Sequence, residues 1–341
     1  MYNRRAISVI LILVLALAII NLKEKEVFKK FLSKDKGEEF EIIRSEEYDF
    51  EITEDDDMRK TILYFRDKQG LLVPIMRRIP WEEGIARVTL ENMVDSAELR
   101  ESLAPTGLSP IIPAGTQVLG MAIDDETGIC RVNFSDEILE QEDKEDEEGL
   151  IKGIVYTLTE FQGIKSVQML IGGEIVPSLA YGTDISTPIS RDNINLAGDL
   201  DRGRSKVVAY YKGLNSEKDF EYFVPVTIPT LAPVPNIHTA IEMLFDGPPM
   251  GLVLGSDIPE GASFHGVDVK DGIAYVDVSF ENTDLVKDGI VLNRMLRNIG
   301  LTLSEFDEIA EVEMLIDGKS MEEIGIDIEM NRAIPAFANE Q

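Results

Sequence analysis

Blocks of this sequence recur in one order at a spacing that hardly changes, and a chain written this way folds as two copies of one unit. Ile112-Pro113-Ala114-Gly115-Thr116 returns as Ile258-Pro259-Glu260-Gly261-Ala262, and 259 minus 113 is 146. Leu63-Tyr64-Phe65 pairs with Ala209-Tyr210-Tyr211 at the same offset, and so does Gly120 with Gly266. The stretch from Gly128 through Cys130 to Ser135 pairs with Gly272 through Ala274 to Ser279, where 272 minus 128 is 144, and a two-residue difference in hairpin length accounts for the change. Leu158-Thr159-Glu160-Phe161 and Val167-Gln168-Met169-Leu170-Ile171 return as Leu303-Ser304-Glu305-Phe306 and Val312-Glu313-Met314-Leu315-Ile316, an offset of 145 (303 minus 158).

Each copy reads as strands and helices in the same sequence. Two strand-like runs open it, residues 61–65 and 71–79 in the first copy and 206–212 and 221–228 in the second, and they predict an edge hairpin. A helical stripe of Ile237, Ile241, Leu244 and Phe245 follows and is stopped by Asp246-Gly247-Pro248-Pro249, with residues 82–99 as its first-copy counterpart. After the Ile-Pro-x-Gly turn, alternating residues 263–269 and 273–280 flank Asp271-Gly272, a pair suited to a tight hairpin. Ile151, Ile154, Val155 and Leu158, matched by Leu296, Ile299 and Leu303, mark a second helix, and a last strand covers residues 166–171 or 311–316. The fold class is therefore α+β: two tandem small α/β sandwich domains, each with helices on one face of a mixed sheet.

A chain of 341 residues with 44% hydrophobic content suffices for two such cores. The predicted boundaries are residues 60–195 and 204–341 for the domains, 26–59 for a charged linker and 1–25 for a membrane anchor or signal segment. Arg4 and Arg5 precede an apolar run over residues 6–20 broken only by Ser8, and charge returns at Lys23-Glu24-Lys25-Glu26. Two basic residues before the run hold the N-terminus inside and send the rest of the chain outside. Counted on to Leu22, the run reaches the lower limit of roughly 17 residues for a spanning helix and reads as an uncleaved anchor. The alternative is a cleaved, secreted chain, with Ala16-Leu17-Ala18 as the small-residue site.

Charge and motifs exclude several functions. A formal net charge of -30 and a pI near 4.4 oppose binding to nucleic acid or to an anionic lipid surface, since both require clustered cations. Cys130 is the single cysteine, so neither an internal disulfide nor a cysteine-rich zinc site can form, and no cysteine follows the apolar run to carry a lipid. Its alternating surroundings make it a core thiol, not a nucleophile. His238 and His265 lack repeat partners and read as surface or local structural residues. Trp81 reads as a helix-start packing residue, and Tyr210 and Tyr211 as strand residues. The acidic run over residues 140–148 lacks the spacing of a calcium loop and reads as a solvated lead into the second helix. No metal, cofactor or catalytic residue is assigned, and the expectation is a protein that is not an enzyme.

The repeated Ile-Pro-x-Gly turn, the glycine hairpin and the run from Phe306 through Val312-Glu313-Met314-Leu315-Ile316 to Gly318 resemble the GerM family of sporulation and spore germination domains. The first copy carries the same arrangement from Phe161 to Gly172 or Gly173, and the resemblance covers residues 60–335. It implies a protein of endospore-forming bacteria, similar to ring-building motifs that assemble between mother cell and forespore. The implied partners are an envelope protein complex or further copies of the chain. Family members are often lipoproteins, and this chain instead depends on its N-terminal helix for the membrane. A different class of function, a peptidoglycan-binding or hydrolysing protein using paired carboxylates, would need a cleft with convergent acids or aromatics.

Overall fold

The computed structural model describes residues 58–81 and 84–341. They belong to one compact unit, Asp57–Gln341, which holds both repeats. The first repeat runs β1 (Met58–Arg66), β2 (Leu72–Pro80), α1 (Ile85–Glu91), α2 (Ala97–Leu103), β3 (Val118–Asp124), β4 (Ile129–Phe134), α3 (Lys144–Thr159), β5 (Ser166–Ile171) and β6 (Ile189–Ser190). The second runs β7 (Ser205–Leu214), β8 (Glu221–Thr230), α4 (Ile237–Asp246), β9 (Ala262–Lys270), β10 (Ile273–Phe280), α5 (Gly289–Leu303) and β11 (Glu311–Ile316).

Each repeat carries a mixed sheet. β4 pairs antiparallel with β3 and parallel with β5, and β10 pairs antiparallel with β9 and parallel with β11. A parallel neighbour needs a crossover, which α3 and α5 supply. Asp271 and Gly272, at φ 53° and 78°, make the two-residue turn between β9 and β10. The first repeat uses four residues there, 125–128, which is the two-residue difference inferred above. The Ile-Pro-x-Gly turn closes on hydrogen bonds from Thr116 N to Pro113 O and from Ala262 N to Pro259 O, with Gly115 and Gly261 both at φ 80°. Only glycine takes that third turn position without strain.

The helices are positioned by sequence-local devices. Asp143 caps α3 by accepting from Asp146 N at 2.9 Å, Asn236 caps α4 through Thr239 N at 2.8 Å, and Asp288 caps α5 through Ile290 N and Val291 N. The expected stripes are the buried ones: Ile151, Ile154, Val155 and Leu158 on α3, and Leu296, Ile299 and Leu303 on α5.

Three expectations are corrected. The opening hairpins are not edges of the mixed sheets: β1–β2 and β7–β8 are separate two-stranded sheets, and the helices of each repeat pack against both hairpin and mixed sheet. The single helix expected over residues 82–99 is two short helices, because Asp95 N turns away to Ile112 O at 2.8 Å and Ser96 starts α2 by capping Leu99 N. Trp81 does not pack at a helix start. It follows the last residue of β2 at 49% exposure, with the Arg59 guanidinium 5.2 Å from its ring centroid.

Candidate functional site

The polar groups that converge in this molecule do so at the seam between the repeats, where β2 meets β8. Pro74 in β2 and Pro225 in β8 have no N–H, and their carbonyls still need donors. Asn195, just past the first repeat, accepts from Leu72 N and donates to Leu72 O and, across the seam, to Pro225 O, each at 2.8 Å. Asn339, its counterpart at 195 plus 144, accepts from Phe223 N at 2.6 Å and donates to Phe223 O and, across the seam, to Pro74 O, both at 2.8 Å.

The segments carrying these asparagines are exchanged. Thr227 N donates to Ile194 O and Ala197 N to Thr227 O, so the strap after the first repeat lies along the second repeat's hairpin. Met76 N donates to Asn339 O and Gln341 N to Met76 O, so the strap after the second lies along the first. Lys152 and Arg297, separated by 145, hold these straps through Asn193 O and Phe337 O. Further bonds cross at the hairpin turn: Tyr222 hydroxyl donates to the buried Asp67 carboxylate at 3.2 Å, and Gln69 exchanges two bonds with the backbone of Val253.

Tyrosine and glutamate pairs line the same seam. Tyr64 N and Tyr210 N donate to the buried hydroxyls of Thr157 and Thr302 at 3.2 and 3.1 Å. Their phenol hydroxyls donate to Glu160 and Glu305 at 3.0 and 3.1 Å. Burial first, then the neighbouring carboxylates, push both phenols well above their usual range, so they stay protonated donors. The sequence signal for these groups was present: Glu160 and Glu305, like Tyr64 and Tyr210, occupy matched positions of the repeat.

The residues singled out earlier lie elsewhere. Cys130 is buried in β4 and burial pushes its thiol up to about 12, so it is not a thiolate. His238 is exposed with its ring 5.0 Å from that of Phe264, and exposed His265 bonds the Ser279 hydroxyl at 2.7 Å. The acidic run 140–148 enters the first turn of α3 and is solvated except at Asp146, which pairs with Arg66, and at Glu147, whose residue is fully buried and accepts Tyr181 N and Thr183 N at 2.8 and 2.9 Å. Burial raises this carboxyl, yet the Thr183 hydroxyl and those two N–H donors outweigh it and hold the group below its ordinary value. Among the described residues no three His, Cys, Asp or Glu side chains are placed to hold a metal. The apolar run over residues 6–20 lies outside the described residues, among which no helix is long and apolar enough to cross a membrane.

The family signature now has a physical basis. After β5 and β11 the chain turns on Gly172-Gly173 and Asp317-Gly318, all at positive φ. Gly173 N and Gly318 N donate to the side chains of Asn133 and Asp277 on the neighbouring strand, at 2.8 and 2.7 Å. The glycine and the strand's Asn or Asp are therefore one device, present in both copies. A doubled unit of this kind is a protein of two tandem α+β domains. The family described as Germane, sporulation and spore germination, matches residues 62–176 and again 208–322, and the chain belongs to it. It is 32% identical over 267 residues to spore germination protein GerM of Bacillus subtilis (strain 168), covering 76% of this chain and 71% of that protein. The tandem GerMN domains of the sporulation protein GerM from Bacillus subtilis superpose with a TM-score of 0.68 at 28% identity, over 83% of this chain and 99% of theirs.

Proposed function

We propose that this chain is a non-catalytic assembly component of the spore envelope, anchored by residues 6–20 and acting on the outer face of the membrane between mother cell and forespore. The observation that carries the reading is the use made of polar side chains. The matched polar groups Asn195 and Asn339, Thr157 and Thr302, and Tyr64 and Tyr210 are all spent on joining one repeat to the next or a hairpin to its helix. Two repeats joined so closely form a single rigid block, and a block suits a lattice or ring subunit. Its free sheet edges, β3 and β9, carry β-bulges at the repeat-matched residues Leu119 and His265, which blunt indiscriminate strand pairing.

Crosslinking the tagged chain in membranes of sporulating cells tests this. Recovery of a defined oligomer or of other envelope proteins is the expected result. Recovery of the chain alone, with glycan fragments released in its presence, would overturn it in favour of a wall hydrolase.

A further inference from the structure

The two repeats differ in the groove between their first helix and the free edge of the mixed sheet. In the second repeat rings fill it: that of His238 lies 5.0 Å and that of Phe245 lies 5.5 Å from the ring of Phe264. Buried Leu90 and Met93 of the first repeat match buried Ile241 and Leu244 at an offset of 151 (241 minus 90), which makes Arg87 the counterpart of His238 and Val94 that of Phe245. Phe264 is matched by Val118, at 264 minus 146. None of the three rings has an aromatic counterpart, and the first repeat has a cleft of about 580 Å³ there, whose lining includes Arg87, Glu91, Val94, Thr116, Val118 and Leu119.

This cleft holds a polar group that the fold does not use. Thr116 is 6% exposed, and its hydroxyl has no hydrogen-bond partner among the described residues. Its counterpart, 116 plus 146, is Ala262, so the turn itself does not call for a hydroxyl. A buried hydroxyl left unpaired costs stability, and native chains seldom keep one without a partner. At the rim Arg87 and Glu91 pair at 2.8 Å and cancel each other's charge. Leu119, 48% exposed, brings the cleft to β3, a strand whose outer edge is unpaired.

We propose that this cleft is a docking site for a tyrosine side chain, presented by an extended segment of a partner protein lying against β3. The ring takes the place that Phe245 and Phe264 fill in the second repeat, and the phenol hydroxyl pairs with Thr116 Oγ1. A rim without net charge suits a neutral phenol better than a carboxylate or a phosphate. The bulge at Leu119 discourages plain strand pairing, so the inserted side chain selects the partner. The cleft gives the assembly reading a docking point and rests on that reading for the source of the peptide.

The full chain with labelled valine and leucine methyls is titrated with p-cresol, the tyrosine side chain alone, and with toluene, which lacks the hydroxyl. Saturable shifts are expected at Val94, Val118 and Leu119. The ratio of p-cresol to toluene affinity should fall about fivefold in Thr116→Val, and that variant should melt higher than the wild type because an unpaired hydroxyl has gone. Val94→Phe, which copies the second repeat, should bind neither ligand. An affinity ratio that Thr116→Val leaves unchanged, or shifts that survive Val94→Phe, overturns the site; should Val94→Phe not fold, Thr116→Val decides. A chain that gathers envelope proteins on crosslinking yet fails these titrations loses the cleft alone. One that passes them yet is recovered alone keeps the cleft and loses the assembly reading.

Discussion

The two repeats agree at the seam and disagree in the helices behind it. Asn195 and Asn339, Thr157 and Thr302, and Tyr64 and Tyr210 make the same bonds in each copy. On the helices, Glu147 of α3 stands where α5 has Leu292, and Gly153 where α5 has Asn298. A Cβ at Gly153 would displace the tip of the Ile111 side chain, whereas Asn298 accepts Asp257 N at 3.0 Å and donates to Tyr210 O at 2.8 Å. A buried helix position can therefore be filled by different chemistry as long as its partners change with it. A position that bonds backbone in the other repeat has far less freedom, because both sides must change together.

Exchanging the differing residues should break that comparison most sharply. Leu292→Glu buries a carboxylate without the two N–H donors that Glu147 enjoys, and should destabilise the fold by about 4 kcal/mol in urea unfolding. Next comes Asn339→Ala, which leaves Pro74 O and both backbone groups of Phe223 without their partner. A loss of about 3 kcal/mol is expected, with one transition still seen by fluorescence and circular dichroism alike. Thr157→Val and Thr302→Val each strand a buried tyrosine N–H, and calorimetry should find them equally costly, at about 1.5 kcal/mol; a several-fold inequality would show that the repeats do not share the seam evenly.

The smallest effect concerns pH. Glu147 is held below its ordinary pKa, so its contribution is present above the unfolded-state value of about 4.3 and lost as pH falls through the folded one. Glu147→Gln should thus lower the melting temperature at neutral pH by a few degrees, and the difference should shrink as pH falls below about 4.3.

The mixed sheets and the long helices were legible because each has a period: alternation in β4 and β10, and a three-four spacing on α3 and α5. Repetition added register, placing turns such as Asp271-Gly272 before any contact was known. The seam was not legible in the same way. Asn195 and Asn339 lie in irregular stretches with no period, and their partners are separated from them by 30 or more positions. The split of α1 from α2 escaped for a related reason, since a backbone bond from Asp95 to Ile112 leaves no mark on hydrophobic spacing. Glu147 could have been singled out: it falls three and four residues before Leu150 and Ile151, on the buried stripe.

The exchanged straps also set an order of events. Pro74 and Asn339 are 265 positions apart, so the edge of β2 stays open until nearly the whole described chain has been made. Closing so long a loop is slow compared with forming either hairpin. During that interval the first repeat holds an unfinished edge that fits the strap of any neighbouring copy as well as its own.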